Sequence, residues 1–501
     1  ADQQWGGQGL PRVVAIPVLE MCSSANMAFS MYPGLTRGAA EAIETGASDE
    51  QKKTYLPNMM TGKWSGTMNL TEPQCGTDLG LIRTKAVPQP DGSFKITGQK
   101  IWISGGEQDL AENIIQLVLA RIEGGPEGIK GISLFIVPKF FVNTDGTLGA
   151  RNAFQCGGLE EKMGIHGNAT CVMNYDGATG YLVGEPHKGL SYMFQMMNEA
   201  RVGVGTNATA IGTAAYYASL TYAKERPQGR PIAAKDPSHP QTLIINHADV
   251  KRMLLFQKSV VEGSLSLLLQ CGFWADLAHV AEGETKERAE LLLDLLTPIA
   301  KSYPSEMCCQ TTSAAVQILG GAGYTTDFPV EQYYREARIH PIHEGTTGIH
   351  GLDLLGRKIT LKGGKGVEFL MHEIQQTIRE SKHSTLRSLG EELEKAIERV
   401  QKVTGHLLTL APQNVEVFLA DATLYLEFFG IVTIAWQWLK QAIQAQKGLE
   451  PSVSESDPNF YQGKIATAHY FFEYELAKTI SLSKRLTSSN QTTIKMQTEW
   501  F

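Results

Sequence analysis

FKITGQKIWIS, residues 94–104, is the stretch whose reading decides the fold. It follows an Asp91-Gly92 turn pair and is dense in β-branched and aromatic side chains, so it reads as a strand entered from a tight turn. IIQLVLARI at 114–122 and ISLFIVP at 132–138 have the same content, and Gly, Pro, Asn and Asp separate such runs from about 65 to 185. A β domain is therefore expected in the middle of the chain. Residues 1–64 read instead as helices with turns, with Pro11 near an early helix start and Gly34 and Gly46 as punctuation. After Gly189 long helical patterns rich in Ala, Leu, Met and Gln return, giving a second helical bundle over 186–360. The expected fold is mainly α with a central β domain.

LKGGKG at 361–366 reads as a linker to a further helical module over 361–501. There Leu386, Leu389, Leu393, Ile397, Val400 and Val403 recur every three or four residues, which puts them on one helical face. The acidic, Ser-rich EPSVSESDP at 450–458 reads as a solvated loop between helices. No internal repeat is evident.

With 501 residues, 42% of them hydrophobic, the chain can bury several cores. A net charge of −7 and the absence of any Lys/Arg run argue against a nucleic-acid groove. The seven cysteines are odd in number, scattered and without a CxxC pair, which argues against a disulfide framework or a zinc site and fits a reducing cytoplasm. The longest apolar run, Phe428 to Leu439, is too short to span a bilayer and contains Gln437, so it reads as a buried helix and no transmembrane segment is expected. Ala1 is neither an initiator Met nor the start of a charged-then-apolar leader, so residues ahead of it are expected to have been removed by processing or not included in the sequence.

Four segments could carry chemistry. NLTEPQCGTD, residues 69–78, offers the Thr71 and Thr77 hydroxyls and backbone amides to a polar ring or a phosphate, with Gly76 permitting close approach; an ordinary Pro/Gly turn would look the same. In GQKIWISGG, residues 98–106, alternation puts Trp102 and Ser104 on one side of a strand, where an indole could cover a flat cofactor and a hydroxyl address its edge. Trp102 could equally be core. AVQILGGAGY, residues 315–324 with Ala314 before it, is a helix that stops at glycines and offers uncovered backbone groups; it lacks the preceding strand of a dinucleotide fingerprint. IHPIHEGTTGIH, residues 339–350, reads as a helix-end loop presenting Glu344. His340, His343, Glu344 and His350 are close in sequence, but HEGTTGIH is not HExxH, and no metal site is expected.

In this order the four segments resemble the acyl-CoA dehydrogenase family. TEPQCGTD resembles its TEPxAGSD segment, GQKIWISGG its GxKxWITNG strand, QILGGAGY its QxxGGxGY turn and HEGTTGIH its YEGTxxIQ catalytic loop. The match runs to about residue 360, and the tail resembles the extra helical domain of a bacterial subgroup that includes long-chain and 3-methylmercaptopropionyl-CoA dehydrogenases. The resemblance implies a helical bundle (1–64, incomplete), a β domain (65–185), a second bundle (186–360) and the extra module (361–501), with FAD between the β domain and the second bundle. It implies that Leu70 and Thr71 meet the flavin pyrimidine edge, Trp102 its face and Ser104 its N5 region, with Thr77 near the phosphates or the substrate. Arg226 and Gln228, with Gln317, Gly320 and Gly321, would reach the FAD of a neighbouring subunit in a homo-oligomer, at least a dimer, and Thr346 would touch the same cofactor. Arg201, His343 and Gly345 would line the substrate, an acyl-CoA.

The implied reaction removes an α-proton through Glu344 while the β-hydrogen leaves as hydride to FAD, giving the trans-2-enoyl-CoA, with an electron-transfer flavoprotein as acceptor. Departures from the family pattern are RPQGR for RxQFG, His343 for the usual Tyr, Gly348 for a common Gln and His350 for the terminal Gln. An acyl-CoA oxidase using O2 shares the fold and base, and a non-catalytic flavoprotein on the same scaffold is the alternative from another class. A nitroalkane oxidase is disfavoured, because that relative carries Asp at the base position.

Overall fold

The computed structural model describes residues 3–234, 236, 238–382, 384–450 and 457–501, the side chains of 194–198 excepted, so most of the predicted 450–458 loop lies outside the described residues. The chain forms two compact units, Ala1–Pro11 with Met21–Gly203 and Arg12–Glu20 with Val204–Phe501. Helix α1 (Arg12–Ala25) and, later, α4 (Gly189–Glu225) pass from one to the other.

In the first unit, α2 (Met27–Gly46) and α3 (Asp49–Met60) precede the strands. Ser48 and Gln51 close a capping box at the start of α3, which fixes the chain reversal after Gly46. Gly34 does not interrupt α2 as its type suggests, and neither does Pro33. Met27, Met31, Ala39, Ala40 and Ile43 are buried along the helix, and that packing outweighs the weak local propensity.

The strands are β1 (Trp64–Asn69), β2 (Lys85–Pro88), β3 (Phe94–Ser104), β4 (Asn113–Ile122), β5 (Ile132–Pro138), β6 (Phe140–Val142), β7 (Leu148–Arg151), β8 (Phe154–Leu159) and β9 (Thr170–Leu182). The three predicted strand runs are β3, β4 and β5. Pairing runs in a closed circuit, β4–β2–β3–β9–β5 and back to β4, with β1 beside β2 on the same edge of β4 and β8 on β9. Closure leaves β4 bonded on both edges, and its residues 113–120 are all buried. Val118 and Ala120 share a core with Phe135, Val137, Met173 and Tyr175, whereas Ile115, Leu117 and Leu119 pack with Ala39, Ile43, Leu56 and Trp64.

The second unit holds the rest of α4, then α5 (Ala248–Val280), α6 (Gly283–Leu319), α7 (Val330–Ala337), α8 (Thr347–Gly356), α9 (Lys365–Ser381), α10 (Arg387–Leu410), α11 (Val415–Leu419), α12 (Ala422–Gly448), α13 (Pro458–Tyr470) and α14 (Lys478–Leu486). The predicted linker is the irregular turn between α8 and α9, with Lys362, Gly363 and Gly364 at positive φ. The face predicted from Leu389 to Val403 is the buried side of α10.

The apolar run 428–439 is the middle of a longer helix than the sequence suggested. By length and composition α12 could cross a membrane, but 83% of its most apolar window is buried inside the protein. It runs through the unit as a spine. Trp438 Nε1 donates to Ser259 O of α5 at 2.9 Å, Trp436 Nε1 to Thr377 Oγ1 of α9 at 2.9 Å, and the Tyr425 hydroxyl lies 2.7 Å from Thr404 Oγ1 of α10. At its start, Ala422 and Thr423 press on α8: a Cβ on Gly351 would stand 2.7 Å from the Ala422 carbonyl carbon and 2.8 Å from Thr423 N.

Gly351→Ala should therefore destabilise the protein by about 1–3 kcal/mol, the usual cost of forcing a methyl group into a filled contact. Gly34→Ala, with nothing within 4 Å of the added carbon, should leave stability unchanged or raise it by roughly 0.5–1 kcal/mol. Urea unfolding of both variants checks this, and equal midpoints would refute the close approach of α12 to α8.

Candidate active site

Two segments of the first unit converge. Strict alternation from Ile96 and Lys100, both buried, would turn residue 102 inward. Instead the register against β9 slips between Lys100, opposite Met173, and Ile103, opposite Cys171. This bulge places Trp102 at φ 62° and turns its indole outward, 56% exposed, on the side of Ser104. Alternation alone put the two residues together; the bulge decides that they face out.

Thr71 follows β1 and is joined to the bulge, since Ile101 N donates to Thr71 O at 2.9 Å. Beneath it, fully buried Lys100 donates to Leu70 O at 2.9 Å and to Glu72 Oε1 at 2.8 Å. Glu72 also accepts from Arg83 N (2.7 Å), Thr84 N (3.1 Å) and Thr84 Oγ1 (2.5 Å). Burial opposes its charge, but Lys100 and these donors outweigh burial and hold the carboxyl at about 2. Burial likewise pulls Lys100 below its ordinary range. A second buried network links the same two segments: Asn69 donates to Gln116 at 2.8 Å, and Gln116 donates to Gly106 O at 2.9 Å. Thr77 is exposed in the turn beyond, and Arg201 is buried on α4.

In the second unit, tight turns follow α7: His340 N donates to Ala337 O at 3.2 Å and His343 N to Ile339 O at 3.1 Å. Glu344 then sits at φ 52° and Gly345 at φ 88°, and Thr346 leads into α8. A left-handed Glu costs about 1–2 kcal/mol, so its surroundings must hold it there. They do so through carbonyls. Lys301 of α6, fully buried, donates to His340 O and Gly345 O, each at 2.7 Å, and the His350 ring donates from Nε2 to Glu344 O at 3.1 Å. Gly345 cannot be replaced cheaply, because a Cβ there would stand 2.8 Å from His350 Nε2.

The three histidines close in sequence are occupied separately. His340 donates from Nδ1 to Ala337 O at 3.1 Å, and His343 stands edge-on to it at 5.6 Å between ring centres. Burial, together with the Lys301 charge, pushes His340 down to about 4. Burial, His340 and Lys301 push His343 well below the usual imidazole range.

Arg226 and Gln228 follow α4 in an exposed segment stitched by Ile244 N to Arg226 O (2.9 Å) and Gln228 N to Thr242 O (2.9 Å). Gln317, Gly320 and Gly321 are exposed at the end of α6, where Gly320 has φ 62°. One core of Ala223, Ile244, Ile318, Leu319 and Val330 underlies both segments.

Comparison with known proteins places this geometry in a class. Family models match along the chain: acyl-CoA dehydrogenase N-terminal domain at 1–63, middle domain at 67–178, C-terminal domain at 269–359, and acetyl-CoA dehydrogenase C-terminal like at 370–497. The 3-methylmercaptopropionyl-CoA dehydrogenase of Ruegeria pomeroyi is 41% identical over 97% of this chain and 82% of its own length. The broad-specificity linear acyl-CoA dehydrogenase FadE5 of Mycobacterium tuberculosis is 36% identical over 94% of this chain and 79% of its own. An acyl-CoA dehydrogenase from Bacillus anthracis, solved with FAD, shares the fold at a TM-score of 0.78 and 20% identity, covering 99% of this chain and 81% of that one. The chain belongs to the acyl-CoA dehydrogenase family. It is an oxidoreductase that carries the extra C-terminal domain as well as the common core.

Sequence reasoning passed over Glu72, Lys100, Gln116 and Lys301. For Lys100 a signal existed: a charged residue on the inward phase of a strand, two and four places from Gly98 and Ile96, requires a buried acid. Lys100→Met should cost about 3–5 kcal/mol by stranding the Glu72 carboxylate, and adding Glu72→Leu should recover much of that loss. Because the Glu72 carboxyl titrates at about 2 rather than its ordinary 4.5, its stabilisation is complete above pH 4.5 and lost as pH falls toward 2. Glu72→Gln should flatten that part of the stability profile in urea titrations. Equal losses in the single and double variants would show that the pair is not coupled.

Proposed function

We propose that the enzyme oxidises an acyl-CoA to its trans-2-enoyl-CoA, with Glu344 as the base and FAD as the cofactor. The observation that carries this reading is strain. Five non-glycine residues have positive φ among the described residues, and two of them are Trp102 and Glu344, the indole and the carboxylate singled out by the motifs. Backbone held in such conformations concentrates at working sites.

The residues present fit the cofactor. The outward Trp102 indole offers a flat apolar plane beside Ser104, and the Leu70–Thr71 backbone is pinned next to it by Lys100 and Ile101. FAD, when bound, supplies the acceptor for the β-hydrogen and its electron pair. The chain supplies the rest. Glu344 accepts the α-proton on its carboxylate, and the excess charge on the thioester carbonyl calls for hydrogen-bond donors around it. His343 would be the natural base near neutrality from its ordinary pKa, but burial and its cationic neighbour weaken it as a proton acceptor and leave the role to Glu344. Arg201, Thr77, Gly345 and His343 are assigned to the substrate, and Thr346 to the cofactor. Exposed Arg226, Gln228, Gln317, Gly320 and Gly321 are assigned to the FAD of a neighbouring subunit, which makes the working unit at least a homodimer. An electron-transfer flavoprotein is the proposed acceptor. Seven unpaired cysteines support work in a reducing compartment, the cytoplasm.

Glu344→Gln should keep FAD and bind acyl-CoA while flavin reduction slows by about two to four decades. His343→Tyr should stay within about tenfold of the parent, roughly 1.4 kcal/mol in barrier. Anaerobic single-turnover bleaching checks both, using the best substrate from a series of short to long acyl-CoAs with a thioether-containing member. Rapid bleaching by Glu344→Gln beside a dead His343→Tyr would give the role to the histidine.

A further inference from the structure

Burying an ammonium in a helical bundle is costly unless oxygens surround it, and at a position that only fills space Leu or Met would do better. Lys301 lies in the middle of α6 with no exposure at all. Its Nζ meets two backbone carbonyls at 2.7 Å, those of His340 and Gly345. These lie five residues apart in the chain and straddle Glu344, so the contact spans the loop rather than closing one turn of it.

We propose that Lys301 is a positioning residue of the reaction, fixing the backbone on both sides of Glu344 so that the carboxylate is held in the one orientation from which it reaches the substrate. This rests on the reading of Glu344 as the base. The left-handed conformations at Glu344 and Gly345 aim the Gly345 carbonyl at Lys301. Relaxing Glu344 to negative φ would swing that carbonyl away and redirect the carboxylate in the same motion, so the lysine bond and the aim of the side chain are linked. The anchor itself is rigid. Ile299 and Tyr303, two residues before and after Lys301, pack against Gly430 of α12, at 3.7 and 3.3 Å from the place a Cβ would occupy. From the other side, His350 of α8 holds the Glu344 carbonyl. Two helices thus grip consecutive carbonyls, 344 and 345, and the grip from α6 also reaches His340.

The test uses FAD-loaded Lys301→Met, Lys301→Gln and Lys301→Arg, with Glu344→Gln beside them. In Lys301→Met the flavin-reduction rate should fall by about a hundredfold, the scale of an ångström of misplacement at a reacting group, with FAD content unchanged and acyl-CoA affinity within about threefold. Lys301→Gln, whose amide still donates to one carbonyl, should lie between Met and the parent, and Lys301→Arg, which keeps a cation and several donors, should recover more than Gln. This split between binding and rate distinguishes positioning from a general structural role. Reduction within threefold of the parent in Lys301→Met would overturn the proposal. So would losses of FAD or acyl-CoA binding in proportion to the rate, or failure of both Met and Gln variants to give folded holoenzyme, since each would make Lys301 a structural residue. If Glu344→Gln reduces flavin at the parent rate, the base assignment falls instead, whatever the lysine variants do.

Discussion

An ammonium group without water must be surrounded by oxygen atoms, and two fully buried lysines, one in each unit, meet that demand with oxygens of a loop that carries one of the motifs. Lys100 takes Leu70 O and the Glu72 carboxylate; Lys301 takes His340 O and Gly345 O. The demand runs in both directions. The loops satisfy the lysines, and the lysines hold loops that local propensity would let go, including a left-handed Glu344. Hydrogen bonds to a charged donor contribute about 1.5–3 kcal/mol each, enough to outweigh the strain of one such residue.

Much of the fold, though not these lysines, was legible in the sequence. β3, β4 and β5 stood out because they concentrate β-branched and aromatic residues between turn formers, and the buried face of α10 because its spacing is helical. The four motifs carried the family and the placement of Glu344 in a helix-end loop. The failures have physical causes. Gly34 and Pro33 look like breaks, yet α2 passes through them because burial along its face outweighs propensity. The outward turn of Trp102 depends on a one-residue bulge, and the pairing partner that creates it lies some seventy residues away in the chain. Lys301 has no local signal: its acceptors are main-chain oxygens, and every residue type has those.

The C-terminal module is continuous with the second unit rather than an appendage to it. Its spine helix α12 reaches α5 through Trp438, α6 through Gly430 against Tyr303, and α8 through Ala422 and Thr423. Helices α6 and α8 are also the two that hold the Glu344 loop, so the tail braces the scaffold of that loop. Removing the module would uncover Ile299 and Tyr303 on α6 and Gly351 on α8 at once.

The contact between Gly351 and the Ala422–Thr423 backbone also ties one residue of the common core to the tail. A glycine forced by a neighbouring main chain is needed only while that neighbour is present. Gly348, where the family commonly has Gln, is less crowded, since a Cβ there would lie 3.9 Å from Thr423 Oγ1, an ordinary contact. Any side chain at 351 would therefore have to push α12 off α8, whereas position 348 leaves room for one.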